Sequence, residues 1–551
     1  MPPPRAGNEV EFLIDGRETY RAMLKAMKTA WGRGTFIYLA NWWVNYDFGL
    51  DQDGGTTLKS VLQVAALSGC MVRALFWDRT TQASQNTAEA AFINMLPEGR
   101  GHAILDGRHH VVGTHHQKIL CVYGNEGLIS FCGGVDFNYD RVYGFGDTIT
   151  GVEDSNDDVN ARQPVFKGKA WSAGAPLLDL HCKIRGPAAY DLLEVFLKRY
   201  ADHARASGKT ILVPPRPSPV ASSKVYTRIG ATFGTSPNAV DTLFTPDDSV
   251  TQLIEQAADG PGATEILIAG RDRGVAHTRQ TFPYSFAPHG RQSGRAQLLW
   301  AISSARYFIY FEDQYMVSRE IAEALNAALK RGVLFILGVI PHQEISTDFE
   351  FEQLPPVRKT LFIDKVLKDI PFPQRRFQLF CPKHAETSPR GSRYRYIHSK
   401  LWVFDDEFCT IGSMNINDRG TTHDSELAAG IYEQGDGSSR YGFAHRLRMR
   451  LWARLLGKTG DELDQLVDPI NALDLWKEAA HAVPYDWSGP DFDWNGKTDS
   501  RRDGAEGLVP LNMGEWLELI FDPRTSPGKD ESWSDLANPD PKKTIEIVSP
   551  E

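Results

Sequence analysis

The chain has 551 residues, too many for one hydrophobic core and enough for two large domains with appendages. Its 42% apolar and 24% charged composition is that of a globular protein, and a net charge of −10 excludes a global positive field recruiting nucleic acid. Six scattered cysteines lack paired metal-ligand spacing, which predicts buried free thiols and folding in a reducing compartment. The first residues, Met1-Pro2-Pro3-Pro4-Arg5, lack the apolar core of a signal peptide, and no stretch is apolar and long enough to span a bilayer. Synthesis in the cytoplasm is expected, with any membrane substrate met from the water side.

In chain order, a helix is predicted over residues 20–30, a strand over 36–43, an amphipathic helix over 57–68 and an apolar strand over 72–77. His116-Gln117-Lys118 then opens an apolar stretch that runs into the turn Gly133-Gly134-Val135-Asp136. Residues 144–175 are irregular and acidic at 153–158, and are expected to cover or border a site. A strand over 177–184 carries Asp179. Residues 207–248, rich in Pro, Ser, Thr and Gly, read as linker and surface loop. The order then repeats, with a helix over 294–305, a strand over 308–315, a helix over 321–330 and a strand over 333–340. An acidic loop, 341–356, is expected to be a solvated surface. His398-Ser399-Lys400 follows, then Asp405 and the turn Gly412-Ser413-Met414-Asn415. Beyond Val483 the composition shifts to Trp, Asp, Gly and Pro, which predicts an irregular tail and a mobile end at 539–551.

The repeated order of strand, helix, strand and histidine strand indicates duplication of an α/β unit. The expected fold is α/β: two α/β/α sandwich halves with mixed sheets, related by a pseudo-twofold, with one active site at their interface. The boundaries are an N-terminal half over 1–206, the linker 207–248, a C-terminal half over 249–483 and a tail over 484–551. A histidine and a lysine two apart on a strand point to one face. If the halves pack about a twofold, His116 and Lys118 converge with His398 and Lys400 on one anion site. Two imidazoles, two ammonium groups and an amide suit a phosphate diester, supplying a nucleophile, a leaving-group acid and cations for the anionic oxygens.

The second copy, with His398, Lys400, Asp405, Gly412, Ser413 and Asn415, resembles the signature of the phospholipase D superfamily, His-x-Lys-x4-Asp followed by Gly-Ser-x-Asn. Similarity continues in Asn417-Asp418-Arg419 and Asp424-Ser425-Glu426, and in the strand 309–315, close to the eukaryotic-type pattern Ile-Tyr-x-Glu-Asn-Gln-Tyr. In the first half it covers 115–141 and Asp179-Leu180-His181-Cys182. One departure is Tyr123, where the pattern has aspartate; the first glycine turn also arrives three residues late. The family's motif aspartate supports the motif, a role a tyrosine hydroxyl can keep through hydrogen bonding. A catalytically dead first half is the alternative.

The resemblance implies a two-step reaction that requires no cofactor for the chemistry. His116 attacks phosphorus to form a phosphohistidine, and His398 protonates the leaving alcohol, then activates water or another alcohol. Lys118, Lys400 and Asn415 would bind the non-bridging oxygens. An acidic residue is expected to orient each histidine: Asp179 for His116, and Glu426, 28 residues beyond His398, for His398. Asp136, Gln314 and Ser413 are expected at the substrate, with Asp136 either touching phosphate or holding its loop. His115 and His181 are expected to be structural, with lining the pocket as the alternative, and Trp42, Trp43, Tyr315 and Trp402 to pack in the core, with shaping an acyl or headgroup pocket as the alternative. Arg141 and Arg419 either contact phosphate or fix the turns.

The implied substrate is a glycerophospholipid at a membrane surface, cleaved at the distal phosphodiester bond to phosphatidic acid and free headgroup, or transferred to an alcohol. A nuclease is the second enzyme reading, opposed by net acidity and the lack of a basic, aromatic-interleaved stripe. An inactive membrane- or protein-binding relative is the third. The compact pattern resembles bacterial members that include antibacterial effectors of the type VI secretion system, which would imply a cognate immunity protein or a secretion-apparatus component as partner. No metal is expected in the chemistry. No EF-hand-like loop is present, and the sequence leaves any calcium dependence of membrane binding open.

Overall fold

The computed structural model describes residues 3–47, 49–51, 55–78, 83–109, 113–138, 141, 177–234, 284–287, 290–342, 354–383, 394–422, 424–434, 442–485 and 546–548. In the first half, β1 (Arg5–Ile14), β2 (Phe36–Asn41), β3 (Met71–Trp77), β4 (Gly101–Asp106), β5 (Ile119–Gly124), β6 (Gly127–Gly133), β7 (Leu177–Leu178) and β8 (Leu180–Arg185) precede the helix Pro187–Asp202. Next come β9 (Thr210–Leu212) and β10 (Val225–Phe233). The second half holds β11 (Arg291–Gln292), β12 (Phe308–Glu312), β13 (Phe335–Val339), β14 (Phe377–Pro382), β15 (Tyr396–Ile397), β16 (Leu401–Phe404), β17 (Phe408–Gly412) and β18 (Glu426–Glu433). The helix Phe443–Leu456, β19 (Ala482–Pro484) and β20 (Glu546–Val548) follow.

One mixed sheet runs β19-β14-β13-β12-β16-β17-β18-β10-β1-β8-β6-β5-β2-β3-β4. From the β1–β10 seam outward the two sides repeat the same order, so the duplicated α/β arrangement expected from the sequence is the one found. β2, β3 and β4 are parallel, as are β12, β13 and β14, while β5–β6 and β16–β17 are antiparallel hairpins. Every residue of β2, β3, β12 and β13 is buried, which explains their continuous apolar runs: strands covered on both faces carry no polar alternation.

Helices supply the covering layers. Arg319–Arg331 buries Ile321, Ala322, Leu325, Ala328 and Leu329 on one stripe; Ser318 caps its start, and Gly332 ends it at φ 121°. Pro187–Asp202 and Phe443–Leu456 share a central core, in which Tyr38 stacks on Phe196 at 5.2 Å and Tyr310 meets Trp452 edge-on at 5.7 Å. Each half keeps an outer core of its own, one around Leu62 and Phe76, the other around Leu325 and Ile336.

Two expectations change. The segment 207–248 is not only linker, because β10 pairs with β18 along eight residues and takes beside it the place β1 takes beside β8. Its buried alternation Val225, Thr227, Ile229 was hidden in Pro- and Ser-rich surroundings. At the chain's end, expected to be mobile, Glu546–Val548 pairs in parallel with β9, which offers an open edge to Ile547 and Val548. The acidic segment 144–175 and positions 343–353 of the second acidic loop lie outside the described residues, as does most of the tail. All six cysteines are buried, with no disulfide. Among the described residues no helix is long and apolar enough to cross a membrane.

Candidate active site

β5 and β16 begin directly after Lys118 and Lys400, so both motifs lie at the mouths of matching hairpins. Each motif docks on the other half. The His116 amide donates to Ser425 O at 3.0 Å, and the His398 amide donates to Leu178 O at 2.7 Å. Each histidine is therefore set beside the acid that follows: His116 Nδ1 lies 2.9 Å from Glu426 Oε1, and His398 Nδ1 lies 2.7 Å from Asp179 Oδ2. The expected pairing within each half is thus overturned. Both acids do orient histidines, but across the pseudo-twofold, because the motif strands swap neighbours where the halves meet.

The lysines are held by their own motifs. Lys118 Nζ donates to His116 O at 3.0 Å and stands 3.3 Å from Asp136 Oδ2; Lys400 Nζ donates to His398 O. Of the two roles open to Asp136, the geometry shows the loop-holding one. Its Oδ1 accepts from the amides of Trp42 at 3.0 Å and Trp43 at 3.4 Å. Ser413, expected at the substrate, is instead engaged behind His116, where its hydroxyl donates to Glu426 Oε2 and accepts from Leu427 N at 3.0 Å. Asn415 is buried, and its Oδ1 has no hydrogen-bond partner among the described residues. Gln314, just past β12, accepts from the Tyr396 hydroxyl at 3.2 Å. Both turns need glycine for space: a Cβ on Gly134 would lie 2.0 Å from Asp179 Oδ1, and one on Gly412 would lie 2.1 Å from Leu427 O.

Burial sets the electrostatics. It pushes both imidazoles well below their usual range, and Lys118 and Lys400 push His116 down further. Arg141 and both lysines do the same to His398. Burial lowers Lys400 to about 7 against the opposing pull of Asp179 and Asp313, and lowers Lys118 against Asp136 and Glu426. It raises Glu426 and Asp179 against the lysines. Neutral imidazoles suit a nucleophile, and each histidine–carboxyl pair holds its proton as a unit. An anionic phosphate would favour the charged form of imidazoles and lysines alike.

Neighbouring residues sort by position. His115 is structural, bonded to Ser425 Oγ at 2.7 Å and lowered to about 3 by burial. His181 Nδ1 accepts from Val135 N at 3.3 Å and so supports the first turn. Trp402 packs on Phe311 in the core, but Trp42 meets His116 edge-on at 5.9 Å and borders the site. Arg419 Nε, 3.5 Å from Asp424, fixes its turn, whereas buried Arg141 acts on His398, Lys400 and Asp179. Asp405 lies away from the reaction centre, accepting the amides of Arg306, Tyr307 and Phe308, each at 2.8 Å. Tyr123 takes the matching place and stacks on Phe36 at 5.6 Å, so ring packing replaces the carboxylate's hydrogen bonds. Asn41 and Asp313 were missed. Aligning 36–43 with 308–315 sets them opposite each other, and Asp313 departs from the asparagine of the eukaryotic-type pattern.

Among the described residues no group of three or more His, Cys, Asp or Glu is placed to hold a metal ion. Family models match two segments of the chain: "Phospholipase D" over residues 27–232 and "Cardiolipin synthase, PLD-like domain" over 298–441. Phospholipase D alpha 2 of Arabidopsis thaliana is 24% identical over 76% of this chain and 62% of its own length. Phospholipase D alpha 1 of Carica papaya is 25% identical over 77% of the chain and 62% of its own. The chain thus spans less than two thirds of these relatives. A solved structure, phosphatidylserine synthase of Haemophilus influenzae, aligns with a TM-score of 0.48 at 12% identity, covering 86% of this chain and 94% of that one. With both motif halves matched by family models and their histidines brought into one site, the chain belongs to the phospholipase D superfamily.

Proposed function

We propose that the protein is a phospholipase D that hydrolyses the distal phosphodiester bond of glycerophospholipids to phosphatidic acid and free headgroup. The observation that carries this reading is the crossed pair of dyads, His116–Glu426 and His398–Asp179, in one buried site with Lys118 and Lys400. Neutral His116 attacks phosphorus through Nε2, since Nδ1 faces Glu426; the P–O bond to the headgroup breaks, and His398 gives the leaving oxygen a proton. His398 then takes a proton from water, whose oxygen displaces His116 from phosphorus. An alcohol in place of water yields the transferred phosphatidyl ester. Lys118 and Lys400 offset charge on the non-bridging oxygens as it builds up, and the Asn415 amide donates a hydrogen bond to them.

The test is headgroup release from mixed phospholipid vesicles in EDTA, with wild type beside His116→Ala and His398→Ala. The expected result is phosphatidic acid from wild type, with the loss of either histidine costing on the order of a thousand-fold or more. Added ethanol should divert product to phosphatidylethanol. No product from wild type, or equal product from the histidine variants, refutes the proposal.

A further inference from the structure

Each half ties the end of its first parallel strand to its glycine turn through a buried acid and places an uncharged amide at the matching position of the other element, in opposite order. Ala40 pairs with Ile119 and Glu312 with Leu401, the residues directly after the motif lysines, so Asn41 and Asp313 occupy equivalent places. In the first half the strand supplies Asn41 and the turn Asp136; in the second the strand supplies Asp313 and the turn Asn415. Asp136 reaches from turn to strand, accepting the Trp42 and Trp43 amides and the Asn41 side-chain amide at 3.4 Å. Asp313 reaches from strand to turn, accepting Ile416 N at 3.1 Å, while its other oxygen accepts Tyr315 N at 2.7 Å. Both carboxylates are fully buried.

We propose that Asp313 is the second half's counterpart of Asp136: a positioning residue that anchors the 412–415 turn to the end of β12 and supplies the counter-charge of Lys400. The proposal rests on the phosphodiesterase reading and deepens it. Each half then carries one buried lysine, one strand-to-turn carboxylate beside it in addition to the histidine's acid, and one uncharged amide, with the acid donated by the turn in the first half and by the strand in the second. Lys400 is lowered to about 7 by burial, with Asp179 and then Asp313 holding it up, and burial raises Asp313 to about 7 against the pull of Lys400, so the two groups exchange charge over the same range. Lys400 is also faced by Lys118, Arg141 and Glu426, and Asp313 is faced in addition by Lys359 of the helix Leu354–Leu367.

Asp313→Asn keeps the side chain's shape and restores the asparagine of the eukaryotic-type pattern, so folding should survive and a thermal melt checks it. Without the anion, the Lys400 ammonium is less favoured and titrates at lower pH. The readout is NMR of protein labelled with 13C at lysine Cε, with the Lys400 signal assigned from Lys400→Arg. Asp313→Asn should move that titration down, and Asp313→Asn/Asn415→Asp, which moves the acid to the turn as in the first half, should move it back. A Lys400 signal that titrates in Asp313→Asn as in wild type overturns the proposal. So does a double variant that titrates like the single one. Because no substrate is used, these outcomes stand apart from the failure of wild type to turn over any phosphodiester, which would refute the activity instead. Where turnover is measurable, the alkaline limb of kcat/KM should follow the same order, with activity above neutrality falling on the order of ten-fold in Asp313→Asn.

Discussion

The crossing of the dyads makes a prediction that separates it from pairing within each half. Glu426→Gln keeps the size of the side chain and the acceptor oxygen but removes the carboxylate 2.9 Å from His116 Nδ1. The bond is buried and charge-assisted whenever the imidazole carries positive charge, as it does in forming the phosphohistidine. Such a bond contributes about 1.5–3 kcal/mol, so kcat should fall roughly 10- to 150-fold. Ser413, which donates to the other oxygen of Glu426, keeps a partner in the amide oxygen, and the loss should not spread into the fold. The assay is turnover of a soluble phosphodiester, joined to an NMR titration of imidazole Cε1–H with His116 and His398 assigned from their alanine variants. Loss of the anion disfavours imidazolium, so Glu426→Gln should move the His116 titration to lower pH and affect His398 less. Asp179→Asn should do the reverse. If Glu426→Gln moved His398 and left His116 in place, the crossed arrangement would be wrong.

Three further outcomes follow from the same geometry. Burial holds both imidazoles well below their usual range and brings Lys400 to about 7, so in the free enzyme the imidazole proton is lost below neutrality and the Lys400 ammonium through it; kcat/KM should decline through neutrality as Lys400 deprotonates. Bound phosphate favours the charged forms, which should place the alkaline limb of kcat at higher pH than that of kcat/KM, and coincident limbs would count against this account. Asp405→Ala removes the acceptor of three amides at the start of β12; denaturant titration should show about 1–3 kcal/mol of lost stability, with kcat within a few-fold of wild type. Gly134→Ala sets a Cβ 2.0 Å from Asp179 Oδ1 and should displace His398's partner, costing activity about as much as Asp179→Asn while a near-UV circular dichroism spectrum stays native-like.

Much of this was legible in the chain because it is local or periodic. Two His-x-Lys motifs, their glycine turns and the repeated order of helix and strand reveal a duplication, although the motifs, expected on strands, stand just ahead of β5 and β16. The acids Asp179 and Glu426 stood out as charges in apolar strands, where burial without a role is expensive. Their partners did not. Asp179 and His116 lie in one half and Glu426 and His398 in the other, so proximity along the chain favoured pairing within halves. Only the twofold packing, with His116 on Ser425 and His398 on Leu178, decides that the partners cross. Tertiary structure likewise drew β10 out of a stretch that composition marks as linker, because strand identity there depends on β1 and β18 lying on either side. It also separated the motif's Asp405, which serves the sheet, from Asp313, which ties β12 to Ile416 beside the second glycine turn. Sequence determines which groups a site can draw on; contacts between residues hundreds of positions apart decide which of them touch, because the long-range packing that brings them together leaves no local pattern.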